Sequence, residues 1–202
     1  MKIPITIGSE TFDLTESQIQ FIKEKLRLNG KKLRDIPVGK TFKLDEYEFI
    51  VLEHTDNGTN AILKTTLSET IFSIEGNDYN KSSIRRFING NFLDSLIKIC
   101  GFRNIYAHNV DLISNDGRTE YGCVPDRVSL LTSEMYRKYV YILDKYPTEN
   151  WWWLATPWST REKENDCVCV ICPNGTISKE LYGNECFVRP FVILNSEIIV
   201  MC

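Results

Sequence analysis

The stretch that decides the fold is Trp151-Trp152-Trp153-Leu154-Ala155-Thr156-Pro157-Trp158, which holds all four tryptophans of the chain. Each indole buries roughly 150–250 Å² when it packs, so rings this close together form either the centre of a core or a binding surface. In a strand, Trp151 and Trp153 face one side of a sheet and Trp152 faces the other. At least one ring is therefore expected in the core, and Trp151 and Trp158 are the candidates for a partner-binding surface.

The composition is typical of a globular protein of one ordinary domain. The chain has 202 residues, 43% of them hydrophobic and 25% charged, and its net charge is −3. No apolar run approaches the ~20 residues that span a bilayer, and the first six residues lack the apolar core of a signal peptide. We therefore expect a cytoplasmic protein without a membrane partner, located in the host cell if it is phage-encoded.

Turn and cap residues divide the N-terminal part into elements. Ile3 to Leu14 alternates between apolar and polar residues around a Gly-Ser pair, which predicts a short β-hairpin. Thr15 is positioned to cap a helix that follows. Lys31 to Pro37 is polar and ends in proline, so we interpret it as a linker. An appendage is therefore assigned to residues 1–35 and the main domain to residues 36–202.

The main domain is predicted to mix strands and helices. One or two helices are expected after Tyr79, and Thr132 or Ser133 is expected to cap another. Residues 101–122 have scattered Asn, Asp and Gly and are interpreted as loops that contribute little to the core. Strands are predicted at Thr41–Glu53, Asn60–Leu67, Val128–Leu131, Cys167–Cys172, Thr176–Leu181, Phe187–Leu194 and Ile198–Met201, with tight turns at Asp56-Asn57-Gly58 and Pro173-Asn174-Gly175.

A basic segment runs from Lys23 to Lys43 and carries eight Lys or Arg against Glu24 and Asp35. Such a segment can contact phosphate groups. A solvated helix face and connector is the favoured interpretation, because no aromatic residue is interleaved within its most basic part. The candidate nucleic-acid residues are Lys23, Lys25, Arg27, Lys31, Lys32 and Arg34.

The seven cysteines give little indication of a metal or redox centre. The run Cys167-x-Cys169-x-x-Cys172 holds one C-x-x-C spacing, whereas zinc sites usually pair two. We interpret these residues as free thiols that act as small buried hydrophobes, and we predict no metal and no cofactor. His54 and His108 stand in no recognisable relation to a serine or a cysteine, so the sequence supports no catalytic triad.

Arg189 precedes a proline inside an apolar segment, which is an unusual position for a charge. A cation there is not expected to be buried alone. We therefore expect a carboxylate, a carbonyl oxygen or an indole face beside it, and a structural role is favoured over ligand binding.

An ordered series of short motifs runs through the main domain and resembles a domain-of-unknown-function family of gut bacteria and their phages. Members of that family read S-x-I-R-x-[WF]-[LI]-N, D-[KR]-V-x-L-L-S, W-W-L-R-[ST]-P and V-R-P-A. The resemblance spans about residues 36–194, and the chain departs from it at Ala155, where arginine is common, and at Phe191, where a small residue is common. The matching segments are Ser83-Ile84-Arg85-Arg86-Phe87-Ile88-Asn89, Asp126-Arg127-Val128-Ser129-Leu130-Leu131, Trp152-Trp153-Leu154-Ala155-Thr156-Pro157 and Val188-Arg189-Pro190.

The resemblance implies an α+β domain similar to the C-type lectin-like fold, with a small N-terminal β-hairpin plus helix appendage. That fold serves recognition, so we predict a non-catalytic protein of phage or mobile-element origin that binds a protein partner. An inhibitor of a host defence system such as a CRISPR nuclease is the specific form of this prediction. The alternatives are a thiol- or metal-dependent enzyme on a formylglycine-generating-like fold and nucleic-acid contact through residues 23–43. The predicted partner-binding residues are Trp151, Trp158, Arg161, Glu162, Lys163 and Glu164.

Overall fold

Short strands make up most of the regular structure in this computed structural model, which describes residues 2–7, 10–25 and 30–201. Within these residues the fold is mixed α+β, as the sequence predicts, and the finer C-type lectin-like assignment stays a prediction. The helices are α1 (Glu16–Lys25), α2 (Ser83–Phe87), α3 (Leu93–Cys100) and α4 (Ser133–Leu143). The strands are β1 (Lys2–Ile7), β2 (Glu10–Thr15), β3 (Lys31–Lys32), β4 (Thr41–Leu44), β5 (Tyr47–Thr55), β6 (Gly58–Leu63), β7 (Glu69–Ile71), β8 (Ile105–Tyr106), β9 (His108–Asp111), β10 (Cys123–Asp126), β11 (Val128–Ser129), β12 (Trp152–Pro157), β13 (Cys167–Ile171), β14 (Ile177–Leu181), β15 (Glu185–Phe187), β16 (Phe191–Leu194) and β17 (Ile199–Val200).

The first large sheet is antiparallel and has the strand order β11-β16-β6-β5-β4, with β8 also paired to β16. Its central hairpin joins β5 to β6 through the turn that the sequence predicts at residues 56–58. Gly58 adopts a φ of +126°, and a Cβ at this position would lie 2.6 Å from the Leu194 carbonyl oxygen. This turn therefore requires glycine both for its backbone conformation and for the close approach of β16.

The second large sheet has the order β14-β13-β12-β15-β7, with β12 at its centre. The β13–β14 hairpin confirms the turn predicted at residues 173–175. Strand β12 pairs antiparallel with β13 and parallel with β15, and all six of its residues are buried. A strand buried on both faces needs a core on each side. Two separate clusters of buried apolar residues meet that need, one containing Trp153 and the other Trp152.

The helices begin where the sequence provides capping side chains. Ser82 Oγ accepts from the Arg85 amide at 3.2 Å, and Thr132 Oγ1 accepts from the Met135 amide at 3.2 Å. The prediction of a cap at Thr132 is therefore confirmed. Between α2 and α3, residues 88–92 form a π-helical turn rather than a break. Asn89 in this turn donates from Nδ2 to the Val128 carbonyl at 2.8 Å, which ties the helical run to β11.

The N-terminal hairpin and helix form as predicted, although the Gly-Ser turn itself lies outside the described residues. Thr15 Oγ1 accepts from the Gln18 amide at 3.2 Å, and Gln18 Oε1 accepts in return from the Thr15 amide at 2.9 Å, which is a capping box. The interpretation of Lys31 to Pro37 as a linker is wrong. Residues 31–32 pair with β17, and Leu33 is fully buried in the core.

Three further predictions need correction. Thr41–Glu53 is a hairpin of two strands rather than one strand, because Asp45 adopts a φ of +56° and turns the chain. Residues 101–122 contain β8 and β9, and they bury apolar side chains instead of contributing little to the core. Phe187–Leu194 is interrupted, since residues 188–190 leave β15 and cross to β16 in the other sheet. The buried side chains within 101–122 are Ile105, Val110 and Leu112.

Among the described residues, no helix combines the length and the apolar character needed to cross a membrane.

Candidate functional site

The tryptophan run divides between core and surface. Trp152 is 1% exposed and Trp153 is 0% exposed, and they face the two different cores on either side of β12. The Trp153 indole donates from Nε1 to the Thr70 carbonyl at 3.0 Å, which satisfies its buried N–H. The prediction that at least one of these rings lies in the core is confirmed for both.

Trp151 differs from its two neighbours because 40% of its surface is exposed. It lies just before β12 at the rim of a concavity of about 270 Å³. Among the described residues, none of the four glutamates that line this concavity forms an ion pair. We call this region the Trp151 surface, and its lining residues are Glu69, Glu149, Asn150, Trp151, Pro173, Glu180, Glu185, Cys186 and Phe187.

Trp158 lies at the opposite end of β12 from Trp151. They are seven positions apart, which in an extended strand corresponds to roughly 23 Å. Trp158 is half-buried, and the Lys179 ammonium lies 5.2 Å from the centre of its ring. The structure therefore does not bring the two predicted aromatic anchors together on one patch.

The predicted charged rim, Arg161 to Glu164, is exposed and lies next to Trp158. The N-terminal end of this charged segment is held in place by Asp116. Its Oδ2 accepts from the Ser159 hydroxyl at 3.0 Å and lies 3.7 Å from Arg161 Nε. The hydrogen bond from the Ser114 hydroxyl, together with that from Ser159, lowers the pKa of Asp116, so the carboxylate stays charged at neutral pH. Arg161 is thus partly engaged within the protein, while the side chains of residues 162–164 project into solvent.

Arg189 is 2% exposed and carries its charge into the space between the two large sheets. Nε donates to the Leu63 carbonyl at 2.9 Å, and Nη2 donates to the carbonyls of Lys64 at 3.0 Å and Tyr146 at 3.4 Å. The guanidinium carbon lies 5.2 Å from the centre of the Trp152 ring. Carbonyl oxygens and an indole face are therefore its partners, two of the three kinds that the sequence predicts.

No carboxylate oxygen of the described residues lies within 4.0 Å of the Arg189 guanidinium. Burial lowers the pKa of Arg189 to about 10, which leaves it a cation at neutral pH. The arginine lines a cavity of about 280 Å³ at the same end of β12 as Trp151, which we call the Arg189 cavity. Its other lining residues include Leu143, Asp144, Trp152, Cys172, Pro173 and Asn174.

Of the three cysteines that the sequence singles out, Cys167 and Cys169 lie in the core and Cys172 is half-buried. Cys167, Cys169 and Cys186 are buried, and burial raises the pKa of Cys169 to about 11 and that of Cys186 to about 12. A thiol with such a pKa is protonated at neutral pH and is a poor nucleophile or metal ligand. Within the described part of the chain, no group of three or more His, Cys, Asp or Glu is arranged to hold a metal ion.

The structure reveals a histidine–serine pair that the sequence analysis missed. His108 Nε2 lies 2.8 Å from Ser129 Oγ, and Asp126 lies opposite His108 in the β9–β10 ladder. The serine is fully buried, however, and the Asp126 carboxylate accepts from Arg85 Nε at 2.9 Å and from Arg85 Nη2 at 2.7 Å. The hydroxyl therefore lies out of reach of a substrate, and the pair links β9 to β11 instead. No sequence motif could reveal it, because the contact joins residues of two separate strands.

The predicted nucleic-acid residues do not form one free cationic face among those that are described. Lys32 Nζ and Arg34 Nη1 both bind Glu197, at 2.9 and 2.7 Å, while Lys31 is exposed. The side chains of Lys23 and Lys25 and the whole of Arg27 lie outside the described residues. Phosphate would have to compete with Glu197 for two of the six predicted cations.

Comparisons with protein-family models, with curated proteins and with solved structures found no match to this chain. The candidate site is therefore defined by its own geometry, as the Trp151 surface together with the adjoining Arg189 cavity. Pro173 lines both concavities.

Proposed function

We propose that this protein is a non-catalytic recognition protein, and that it binds a protein partner through the Trp151 surface. The exposure of Trp151 is the observation that supports the proposal, since the two tryptophans that follow it in the sequence are buried. Covering the exposed 40% of an indole removes roughly 60–100 Å² from water, which stabilises a complex by about 2 kcal/mol. Tryptophans in this position are common anchors of protein interfaces.

The charges around Trp151 indicate the kind of partner. Four glutamates surround the indole, and the described part of the chain pairs none of them with a lysine or arginine. Such a rim repels acidic surfaces and attracts basic ones, which raises the association rate at low salt. The partner's contact surface is therefore a basic segment, and its lysines or arginines would lie over the indole as well as against the carboxylates.

The second predicted surface, Trp158 with residues 161–164, supports the proposal less strongly. Trp158 is half-buried and already contacts Lys179, so a partner would have less apolar area to cover there. In addition, Arg161 is partly engaged by Asp116. This surface stays a competing site at the far end of β12.

The thiol-dependent enzyme is less well supported than binding. Three cysteines and the serine of the His108 pair are buried, and the raised pKa values of Cys169 and Cys186 keep those thiols protonated at neutral pH. A nucleophile must meet its substrate and must be deprotonated by a nearby base. The buried thiols satisfy neither condition, and Ser129, although His108 lies beside it, fails the first because it is buried.

Affinity capture with matched baits tests the proposal. Wild-type protein, Trp151→Ala and Trp158→Ala are each used to capture proteins from a lysate of the host bacterium, and the captured proteins are quantified by mass spectrometry. We expect Trp151→Ala to lose a partner that both other baits retain. Raising the salt concentration should weaken capture by the wild type, because exposed charges are screened.

All three baits should melt within a few degrees of one another, which excludes unfolding as the cause of a lost partner. If Trp158→Ala loses the partner while Trp151→Ala retains it, the partner binds at the other end of β12 and the proposed surface is wrong. The identity of the captured protein would also test whether the target is a host defence nuclease, as the resemblance to phage proteins suggests.

A further inference from the structure

The Arg189 cavity contains a buried cation without an anionic partner. Burying a charge without an opposite charge or several hydrogen bonds is costly. The carbonyls of Leu63, Lys64 and Tyr146 offset part of this cost by accepting from Nε and Nη2. The guanidinium has five N–H donors, and Nη1 donates to none of the described residues. Its two N–H groups therefore remain unpaired within the described residues, and the side chain that carries them lines the cavity.

We propose that the Arg189 cavity is a binding site for a carboxylate group. A carboxylate at Nη1 would accept charge-assisted hydrogen bonds, which are shorter and stronger than neutral ones. It would also neutralise the buried positive charge of Arg189, which forms no ion pair with the described residues. The apolar walls formed by Leu143 and Trp152 exclude water from one side and strengthen this interaction.

The charge balance of the cavity favours a carboxylate over a phosphate. One cation matches a monoanion, and no lysine or second arginine lines the cavity. The carboxylate of Asp144 lines the same cavity and repels a dianion more strongly than a monoanion. In addition, helix α4 ends at Leu143, so its C-terminal carbonyls turn partial negative charge toward this side of the cavity. Phosphate sites instead gather several lysines, arginines or backbone amides.

The position of the cavity points to the source of the carboxylate. Pro173 lines both the Arg189 cavity and the Trp151 surface, so one ligand can extend across both. A polypeptide with basic residues near a free C-terminus would set its cations against the glutamates and its terminal carboxylate against Arg189. This assignment of the source rests on the proposed function, whereas the carboxylate site itself does not.

Cys172 provides a direct test, because this half-buried thiol lines the cavity. Cys123 is exposed and does not line it, so it serves as an internal control. The labelling rate of each cysteine by iodoacetamide is measured by mass spectrometry on the wild-type chain. The probes are sodium acetate, sodium phosphate, a short basic peptide with a free C-terminus and the same peptide with an amidated C-terminus, all at one ionic strength set with sodium chloride.

We expect acetate and the free-acid peptide to slow the labelling of Cys172 at least threefold and to leave Cys123 unchanged. The amidated peptide should protect at least tenfold less well than the free acid. Protection by acetate but not by the peptide would assign the site to small free carboxylates. Absence of protection by any carboxylate, equal protection by the amidated peptide, or stronger protection by inorganic phosphate would overturn the proposal.

Two variants link the protection to the named residues. Arg189→Met should abolish it, but this change removes three buried hydrogen bonds and can unfold the chain. Asp144→Asn is the safer variant because the Asp144 side chain is exposed, and removing its repulsion should lower the acetate concentration for half-protection about threefold. An unchanged half-protection concentration in Asp144→Asn would contradict the assigned location.

The outcomes also separate this site from the proposed function. Protection by acetate together with unchanged partner capture by Trp151→Ala would support the carboxylate site and refute the Trp151 surface. Loss of capture by Trp151→Ala without any protection of Cys172 would support the Trp151 surface and refute the carboxylate site.

Discussion

Trp153 makes three kinds of contact that a smaller side chain cannot make. Its ring lies 5.5 Å from that of Phe72, its N–H reaches the Thr70 carbonyl at 3.0 Å, and its apolar surface fills the larger of the two cores. We expect Trp153→Ala to lower the free energy of unfolding by about 3–5 kcal/mol, because it leaves a cavity that the surrounding strands fill only in part. Urea unfolding followed by circular dichroism measures the change.

Trp151→Ala is the matched control for this prediction, since it removes the same side chain from a partly exposed position. Trp151→Ala should lower the free energy of unfolding by much less than Trp153→Ala does. If both Trp152→Ala and Trp153→Ala melted like the wild type, neither ring would be holding the two cores together.

His108 should make stability depend on pH near neutrality. Burial lowers the pKa of its imidazole below the ordinary value of 6.5, so the folded protein holds a neutral ring at a pH where the unfolded chain already binds a proton. The unfolding free energy is therefore highest above the unfolded-state pKa and falls as the pH drops through it, by at most about 1.4 kcal/mol per pH unit. Thermal unfolding between pH 7.5 and 5.5 follows this loss.

His108→Gln removes the titrating group and retains a side chain that can still bond to Ser129. The variant should show a flatter dependence of melting temperature on pH than the wild type. Parallel curves for the two proteins would mean that other groups cause the pH dependence.

At the residue scale, the sequence predicts how deeply some side chains are buried but not which distant groups they meet. The density of aromatic rings at residues 151–153 is enough to predict that some are in the core. The hydrogen-bond partners of Arg189, in contrast, are backbone carbonyls of residues 63, 64 and 146. These carbonyls approach the arginine only after both sheets have formed. No local pattern encodes that approach.

The pairing of β3 with β17 is the feature at the element scale that overturns the interpretation of residues 31–37 as a linker. It brings Leu33 into the core immediately after the short strand. We expect Leu33→Ala to cost about 2–5 kcal/mol of unfolding free energy, as for any buried leucine of the main domain. Phe12 in the N-terminal hairpin is 45% exposed, so Phe12→Ala should cost about 1 kcal/mol or less.

Chemical denaturation of the two variants measures both costs in the same assay. A small effect of Leu33→Ala, similar to that of Phe12→Ala, would mean that residues 31–33 do not belong to the main folding unit.

The elements bounded by strong turn or cap residues could be predicted from the sequence, and those bounded by tertiary contacts could not. The hairpins at residues 56–58 and 173–175 and the cap at Thr132 follow from local side-chain chemistry. The turn at Asp45 places a non-glycine residue in the left-handed region. The alternation of apolar and polar residues in Thr41–Glu53 predicts a continuous strand and does not indicate this turn. The break after Phe187 arises because the chain changes sheets there. Pro190, which has no backbone N–H to donate to a ladder, is the local sign of it in an otherwise largely apolar segment.

At the scale of the whole molecule, the mixed α+β class follows from the alternation of strand and helix patterns, whereas the candidate site does not. The Trp151 surface combines Glu69 on β7 with Glu185 on β15, two strands that pair across more than a hundred residues of sequence. Only the order of strands in the second sheet brings these carboxylates around the indole. The exposed tryptophan could be predicted as a binding residue, but its acidic surroundings and the neighbouring Arg189 cavity could not.

The central claim, that a partner binds at the Trp151 end of β12, is tested most directly by site-specific photo-crosslinking. A photoreactive phenylalanine analogue replaces Asn150, which lines the Trp151 surface, in one protein and Glu162, which lies near Trp158, in another, so both indoles are retained. Each protein is irradiated in the lysate used for affinity capture and examined by mass spectrometry. We expect a crosslinked partner from position 150 and none from position 162. A partner crosslinked from position 162 and absent from position 150 would contradict the claim.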